Sequence, residues 1–268
     1  MIDKRVRSVE EAVSGIQDGA TVMIGGFGRA GQPVELIDAL IEQGASDLTI
    51  VSNNAGNGDV GLAALLAKRR VRKIICSFPR QSDSWVFDGL YREGGIELEL
   101  VPQGNLAERI RAAGAGIGAF FTPTGVGTQL AEGKETREID GRLYALEYPI
   151  RADFALISAR KADRWGNLVY RETARNFGPI MATAASTAIV QVDEFVELGE
   201  IDPETVVTPG IFVDRVVAVG ERGWLRDGEF VGGVDLEGNP ISSGGEAFAG
   251  SGSAAAAALG EKTKEGSR

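Results

Sequence analysis

Short apolar runs alternate with amphipathic segments through the first half of the chain. Residues 22–24 form the kind of apolar run that makes a short buried strand, whereas residues 34–43 place their large aliphatic side chains on one helical stripe. Further strands of this half are predicted at 48–52, 73–76 and 96–100. Further helices are predicted at 9–17, 62–68 and 106–113, with another capped by Ser82 or Asp83.

Two local patterns refine this half of the chain. Residues 96–100 alternate between polar and apolar side chains at period two, which predicts a strand with one face in water. Asn105 is followed three residues later by Glu108, a pair that resembles a capping box. This pair predicts that the helix at 106–113 begins directly after Asn105.

The order of strand, short loop and helix repeats across residues 20–113 and predicts a largely parallel sheet with crossover helices. The second half is richer in strands, which are predicted at 143–147, 153–158, 168–170, 188–192 and 216–219, with a helix at 180–187. The sequence therefore predicts an α/β fold with a largely parallel, doubly wound sheet and flanking helices. We expect residues 1–220 to form one domain and the Gly- and Ala-rich residues 221–268 to form a mobile C-terminal extension.

Composition narrows the functional classes. A net charge of −10 argues against nucleic-acid and anionic-membrane partners, because both require a basic patch. No apolar run approaches the roughly 20 residues of a membrane span, and the N-terminus has no apolar signal core. The single cysteine, Cys76, rules out an internal disulfide and fits a reducing compartment, so we expect a cytoplasmic protein. Cys76 follows two isoleucines, and buried packing is its expected role.

The chain contains no histidine, which excludes Ser-His-Asp and Cys-His catalysis within it and also histidine-ligated metal sites. Catalysis by this chain would have to use carboxylates, amides, lysine, tyrosine or backbone N–H groups, or a residue of a partner. The mixed-charge run at 132–137 is expected to be a solvated turn.

Four glycines lie between the strand at 22–24 and the helix at 34–43. Such a loop lets another molecule approach the backbone, and the N–H groups at the helix start would face an anion. The alternative is a tight turn without a ligand. No Gly-Lys-Ser/Thr follows, which excludes a P-loop, and the spacing fits a dinucleotide fingerprint poorly.

Three loops follow predicted strands, at Gly25–Gly31, Ser52–Asn57 and Pro102–Gly104. In parallel sheets, ligands bind outside the carboxyl ends of the strands. All three loops are therefore expected at one edge of the sheet.

The run from Asp18 to Pro33 matches in full the signature of the class I coenzyme A transferases, in their A (alpha) subunits. Residues 52–56, 102–109 and 210–213 resemble further blocks of this family, and the resemblance extends from residue 2 to about residue 219. Residues 76–83 and 176–179 look most like the branch of the family that acts on 3-oxoadipate. The acetoacetate and short-chain-acid enzymes are its near relatives.

The resemblance implies a mechanism that needs two subunits. In this family a glutamate of the B (beta) subunit, within a Ser-Glu-Asn-Gly block, attacks an acyl-CoA and becomes a glutamyl-CoA thioester. This chain has no such block and is expected to be inactive alone. The resemblance thus implies a B-subunit partner in a heterodimer or A2B2 heterotetramer. It also implies acyl-CoA and a 3-oxo carboxylic acid as substrates, with no permanently bound cofactor.

Amides and glycines are the candidate site residues. An oxyanion needs fixed uncharged donors, and we assign this role and the substrate-carbonyl contact to Gln103, Asn53 and Asn54. By resemblance the CoA loop consists of Gly25, Gly26, Phe27, Gly28, Arg29, Ala30 and Gly31. Arg80 and Arg175 are weaker candidates for binding a substrate carboxylate, because arginine binds carboxylates bidentately.

Each assignment has an alternative. Asn53 and Asn54 could be turn residues, and Asn105 could meet the local polar needs by capping, which would leave Gln103 as a surface residue. The enzyme could instead be an acetoacetate or short-chain-acid CoA-transferase, or a CoA hydrolase. A protein of another class, a non-catalytic ligand-sensing α/β module, is the remaining hypothesis.

Overall fold

The fold is organised around a largely parallel β-sheet, whose strands come from the chain between Thr21 and Ala218. The computed structural model describes residues 2–81 and 83–220, together with the strands 224–226 and 229–231. The strands are β1 (Thr21–Ile24), β2 (Leu48–Val51), β3 (Val71–Cys76), β4 (Glu97–Leu100), β5 (Phe120–Thr122), β6 (Thr136–Ile139), β7 (Arg142–Glu147), β8 (Ala152–Ala162), β9 (Leu168–Val169), β10 (Ala185–Phe195), β11 (Arg215–Ala218), β12 (Trp224–Arg226) and β13 (Glu229–Val231).

The described part of the chain contains six α-helices, all but the first of which lie between strands. They are α1 (Val9–Val13), α2 (Val34–Gln43), α3 (Leu62–Ala67), α4 (Trp85–Arg92), α5 (Gln103–Gly114) and α6 (Gly178–Ala184). Short 3₁₀ helices occur at Gln129–Ala131, Glu172–Arg175, Pro203–Thr205 and Gly210–Phe212. No helix among the described residues has both the length and the apolar character needed to cross a membrane.

The main sheet has the strand order β11-β10-β8-β1-β2-β3-β4, and each of these neighbours is parallel. The short strand β9 is antiparallel to β8. Helices α1 to α4 contribute to one core cluster, and α5 and α6 contribute to the other. Within β1, Val22 and Ile24 belong to the first cluster and Met23 to the second, as expected for side chains that alternate across a strand. The predicted doubly wound α/β fold is confirmed.

The start of α2 is held by a side chain of β10, which lies two strands away from β1 in the sheet. Gln191 on β10 is fully buried, and its Oε1 accepts a hydrogen bond from the Leu36 backbone N–H at 3.1 Å. Its Nε2 donates to the Glu35 carboxylate at 2.6 Å. Gln191 therefore caps α2 through Leu36, which lies 155 residues earlier in the chain.

Several predicted boundaries were wrong. The helix α5 begins at Gln103 with Pro102 at its N-cap, and the capping box fails because Asn105 lies inside the helix. Helix α1 ends at Val13, and residues 185–187 extend β10 instead of a helix. The expected Asp83 cap is also wrong. Ser84 is the N-cap of α4 and makes no side-chain capping bond, while Ser82 lies outside the described residues.

A second, antiparallel sheet of order β5-β7-β6 was missed. The hairpin between β6 and β7 turns at Asp140-Gly141, where both residues have positive φ angles, of 50° and 75°. An Asp-Gly pair of this kind is a strong hairpin signal, and it was present in the sequence. The solvated turn expected at 132–137 is correspondingly wrong, since residues 136 and 137 belong to β6.

The spatial arrangement separates residues 1–221 from residues 222–268 as two units. In the second unit the structure describes one antiparallel pair, β12 with β13. The mobile extension expected from residue 221 therefore falls mainly on residues outside the described part of the chain.

Candidate active site

The loops after β1, β2, β3 and β4 lie at one edge of the sheet because these four neighbouring strands are parallel. Gln103 begins α5 directly behind β4, and Asn53 follows β2. The Nε2 group of Gln103 donates to Oδ1 of Asn53 at 2.9 Å. The structure thus joins two of the predicted site residues that lie 50 positions apart in the sequence.

Asn53 is held from several directions. Its Oδ1 also accepts from the Ser77 hydroxyl at 2.8 Å, and its backbone carbonyl accepts from the Ser77 and Phe78 N–H groups. The residue is only 2% exposed. Within residues 2–81 and 83–220, no acceptor contacts Nδ2 of Asn53, so this amide remains available as a donor to a substrate oxygen.

Asn54 has a local role in the same loop. Its Oδ1 accepts from the Gly56 backbone N–H at 2.8 Å, which is an Asx turn. Gly56 has a φ of 83°, and a Cβ there would overlap the Ala63 backbone. The side-chain oxygen of Asn54 is therefore used in a turn, as the alternative interpretation expected. Asn54 is as buried as Asn53.

The glycine loop forms its own tight turn. Phe27 and Ala30 exchange two backbone hydrogen bonds, at 3.0 and 3.2 Å, with Gly28 between them at a φ of 60°. Among the described residues, no acceptor contacts the backbone N–H groups of Gly28, Arg29 and Gly31. These three groups are free donors for an anionic or carbonyl-bearing ligand.

The start of α2 does not supply such donors. The Val34 N–H bonds to the Gln32 carbonyl, Ile37 bonds to Pro33, and Leu36 bonds to Gln191. Three N–H groups at the helix start are therefore already bonded within the chain, contrary to the expectation that they would face an anion. The donors lie in the turn that precedes the helix.

The two arginines expected to bind a carboxylate lie in different settings. Arg80 is exposed, and its Nε donates to Asp88 at 2.7 Å, so the guanidinium already has a carboxylate partner. Arg175 is exposed at the end of a 3₁₀ helix, next to Asn176. Cys76 is fully buried, and burial raises the pKa of its thiol to about 12, which confirms its packing role.

Two residues of the site were not predicted. Ser77 follows β3 at the same edge as the other loops, so the strand-end rule could have identified it. Asn176 contacts the glycine loop from about 150 residues away, and no local pattern could have indicated that contact.

Exposed apolar side chains lie at the edge of the sheet where β1 to β4 end. We call the following four residues the apolar rim: Phe27, Val60, Phe78 and Leu100, which are 53%, 45%, 59% and 42% exposed. One member comes from each of the loops after β1, β2 and β3, and the fourth ends β4. Four exposed large apolar side chains at one edge of the sheet indicate a candidate interaction surface.

Two cavities lie near the sheet, but the residues that line them do not include Asn53, Gln103 or the glycine loop. One, of about 530 Å³, lies between β4 and the segment that contains β7. The other, of about 320 Å³, lies between α5, α6 and residues 207–212.

Fixed amide donors and free loop N–H groups at the strand ends define a site suited to acyl transfer. The coenzyme A transferase family model matches residues 6–219, which are most of the chain. The chain belongs to the coenzyme A transferase family.

Individual relatives narrow this assignment. The chain is 73% identical over 219 residues to the A subunit of 3-oxoadipate CoA-transferase from Pseudomonas putida, covering 82% of this chain and 95% of that protein. It is 69% identical to the protein of the same name from Acinetobacter baylyi, covering 82% of this chain and 96% of that one. An acyl-CoA transferase of Escherichia coli O157:H7, solved as a thioester complex with CoA, superimposes with a TM-score of 0.76 at 25% identity. That superposition covers 85% of this chain and 52% of the other, so this chain spans about half of that enzyme's length.

Proposed function

We propose that this CoA-transferase alpha chain works with a B subunit to move CoA from succinyl-CoA to 3-oxoadipate. The main support for the proposal is the fixed side chain of Asn53. Gln103 and Ser77 both donate to its Oδ1, which leaves its Nδ2 free as a donor. The names of the relatives at 73% and 69% identity support the choice of 3-oxoadipate.

The proposed chemistry begins with a glutamate of the B subunit. Its carboxylate attacks the thioester carbonyl, and the negative charge develops on the carbonyl oxygen. Asn53 Nδ2 donates to that oxygen, and one such donor contributes about 3–4 kcal/mol to transition-state stability. CoA leaves as a thiolate and an acyl-glutamyl anhydride remains. Attack of the thiolate on the glutamyl carbonyl then releases succinate and forms a glutamyl-CoA thioester.

The second half reaction runs the same steps in reverse with the new acid. The 3-oxoadipate carboxylate attacks the glutamyl thioester, the CoA thiolate leaves, and it then attacks the acceptor carbonyl of the anhydride. Both half reactions pass through an oxyanion of the same kind, so one set of amide donors serves both. The glutamate carboxylate is regenerated at the end.

The glycine loop is the proposed CoA site. The N–H groups of Gly28, Arg29 and Gly31 are free to bind oxygen atoms of the thioester, and a Cβ at Gly28 would meet nothing within 4 Å. This side of the loop is therefore open to a ligand. Exposed Phe27 offers an apolar contact beside these donors.

The B subunit is proposed to cover the open edge of the sheet. The two bacterial relatives at 73% and 69% identity are A subunits by name, and this chain lacks the nucleophile block. The apolar rim surrounds the place where that nucleophile must arrive. Docking there would bury the rim and exclude water from the amide site.

Reconstitution of the two subunits tests the proposal. The chain is co-expressed with its B subunit, treated with succinyl-CoA, and examined by mass spectrometry. We expect the covalent CoA on a glutamate of the partner, no turnover by this chain alone, and preference for 3-oxoadipate over acetoacetate and acetate. A covalent CoA thioester on a glutamate of this chain would contradict the assignment of the nucleophile to the B subunit. Preference for acetoacetate would contradict the assignment of 3-oxoadipate as the acceptor.

A further inference from the structure

Asn176 binds the glycine loop at both of its ends. Its Oδ1 accepts from the Gly26 backbone N–H at 3.2 Å, and its Nδ2 donates to the Ala30 carbonyl at 2.9 Å. The same carboxamide also accepts from the Phe177 N–H and donates to the Thr173 carbonyl, each at 2.7 Å. All four of its hydrogen-bonding positions are thus used, two on the loop and two on its own segment.

The segment that carries Asn176 lies directly against the loop. A Cβ added at Gly31 would overlap the carbonyl of Ala174, so the two backbones are in contact there. Glu172, at the start of this 3₁₀ turn, has a left-handed φ of 44°, which is unfavourable for a residue with a Cβ. Strained backbone of this kind persists where surrounding structure holds it, and it concentrates at functional sites.

We propose that Asn176 is a positioning residue that holds the glycine loop in its CoA-binding shape before CoA arrives. The inference rests on the proposed function of the loop as the CoA site. A loop with four glycines has many accessible conformations when free, and ordering it during binding would weaken affinity. Asn176 removes that cost in advance, because it fixes the Gly26 and Ala30 ends and so orients the free N–H groups of Gly28 and Arg29 between them.

Kinetics of the reconstituted pair test the role in binding. We expect Asn176→Ala to raise the KM for succinyl-CoA about 10-fold, with kcat and the KM for the acceptor acid changed less than twofold. Asn176→Asp keeps the acceptor for Gly26 but places a carboxylate oxygen against the Ala30 carbonyl. Its KM should therefore rise at least as much as that of Asn176→Ala.

Asn167→Ala is the matched control. Asn167 also anchors a loop with both ends of its carboxamide, since its Nδ2 donates to Asp163 at 2.8 Å and its Oδ1 accepts from the Gly210 N–H at 2.9 Å. It contacts the β8–β9 turn and residue 210, not the glycine loop. The control should lower stability without raising the KM for succinyl-CoA, whereas an equal rise would show that Asn176 acts only through general stability.

Hydrogen exchange on the full chain tests whether Asn176 orders the glycine loop, without any catalytic readout. In Asn176→Ala the amides of Gly26, Phe27 and Ala30 should exchange at least 10-fold faster, while those of β1 stay protected. An active pair whose Asn176→Ala variant shows unchanged loop exchange or unchanged KM overturns the inference. Faster loop exchange in Asn176→Ala, found together with a wild-type pair that transfers no CoA, would instead remove the proposed function and leave the Asn176 contacts as a structural feature of the loop.

Discussion

At the residue scale, the site depends on neutral amides whose orientation is set by other side chains. Asn53 is buried, and its oxygen receives donors from Gln103 and Ser77, so its nitrogen faces the remaining space as a donor. In the proposed oxyanion site, an amide would avoid the acid–base chemistry of a charged group beside a reactive thioester.

Gln103→Ala tests this arrangement. The change removes one of the two groups that orient Asn53, and we expect turnover of the reconstituted pair to fall about 100-fold, the scale of one lost oxyanion donor. Steady-state kinetics measure the effect. Gln129→Ala, at an exposed position outside the site, is the control and should retain full turnover. Unchanged turnover in Gln103→Ala would remove Gln103 from the site.

Gly26→Val should abolish measurable binding of CoA thioesters by the reconstituted pair. Gly26 has a φ of 127°, and a Cβ there would lie 3.3 Å from the backbone and Cβ of Gln32, so valine must displace the loop. Calorimetric titration with succinyl-CoA measures binding. The control is Gly166→Val, at a φ of 84° in the turn between β8 and β9, where a Cβ would lie 3.1 Å from the Val213 side chain, and it should bind with little change. Normal binding by a folded Gly26→Val protein would contradict the assignment of the loop.

Two buried acidic groups, the Cys76 thiol and the Tyr170 phenol, lead us to expect that the protein loses stability at alkaline pH. Burial raises the pKa of Cys76 from 9.0 and that of Tyr170 from 10.0, each to about 12. Below about pH 9 both groups are neutral in the folded and unfolded chains. Between pH 9 and 12 the unfolded chain ionises first, so stability falls as pH rises, by up to about 1.4 kcal/mol per pH unit for each group.

Urea unfolding at pH 8 and pH 10.5 measures this loss. The variant Cys76→Ala lacks one of the two acids and should lose less stability across that interval than the parent chain. Equal losses in the two proteins would show that Cys76 does not contribute.

At the element scale, a buried ionic cluster joins the antiparallel sheet to the helix that carries Gln103. Glu147 on β7 is 3% exposed and accepts from Lys134 at 2.6 Å and from Asn105 on α5 at 3.1 Å. Arg109 on α5 lies 3.8 Å from the same carboxylate. The cluster explains why Asn105 faces inward and does not cap the helix.

Glu147→Ala should lower the free energy of unfolding by about 3 kcal/mol, because Lys134 and Arg109 lose a buried counter-charge. Chemical denaturation measures the change. The control is Glu108→Ala, which removes an exposed ion pair with Arg111 and should have no measurable effect. Equal stability of the two variants would contradict a structural role for the cluster.

At the scale of the whole molecule, the proposed function requires a second protein chain to complete the site. Phe78→Asp places a charge within the apolar rim, and we expect it to weaken binding of the B subunit by at least 10-fold, or about 1.4 kcal/mol. Analytical ultracentrifugation measures the dissociation constant. Ile211→Asp, at an exposed apolar position away from the four rim loops, should associate normally. Greater weakening by Ile211→Asp would place the interface elsewhere.

The sequence alone determined the class of fold and the outline of the site. Apolar runs and amphipathic stripes are local properties, so β1, β2, β3, α2 and α3 were predicted close to their observed bounds. The parallel order of the strands then placed their following loops at one edge, which brought Asn53 and Gln103 together. Local capping patterns were less reliable, because Asn105 had a distant partner in Glu147 that no local pattern contains.

Tertiary structure decided which polar groups are free and which are already bonded. Gln191 occupies the start of α2 from β10, and Asn176 holds the glycine loop, each from about 150 residues away. These contacts depend on how the two halves of the sheet meet, and a hydrogen bond between distant segments leaves no periodic signal in either one. For that reason the sequence indicated a ligand at the glycine loop, but only the folded chain showed that the turn, and not the helix start, has the free donors.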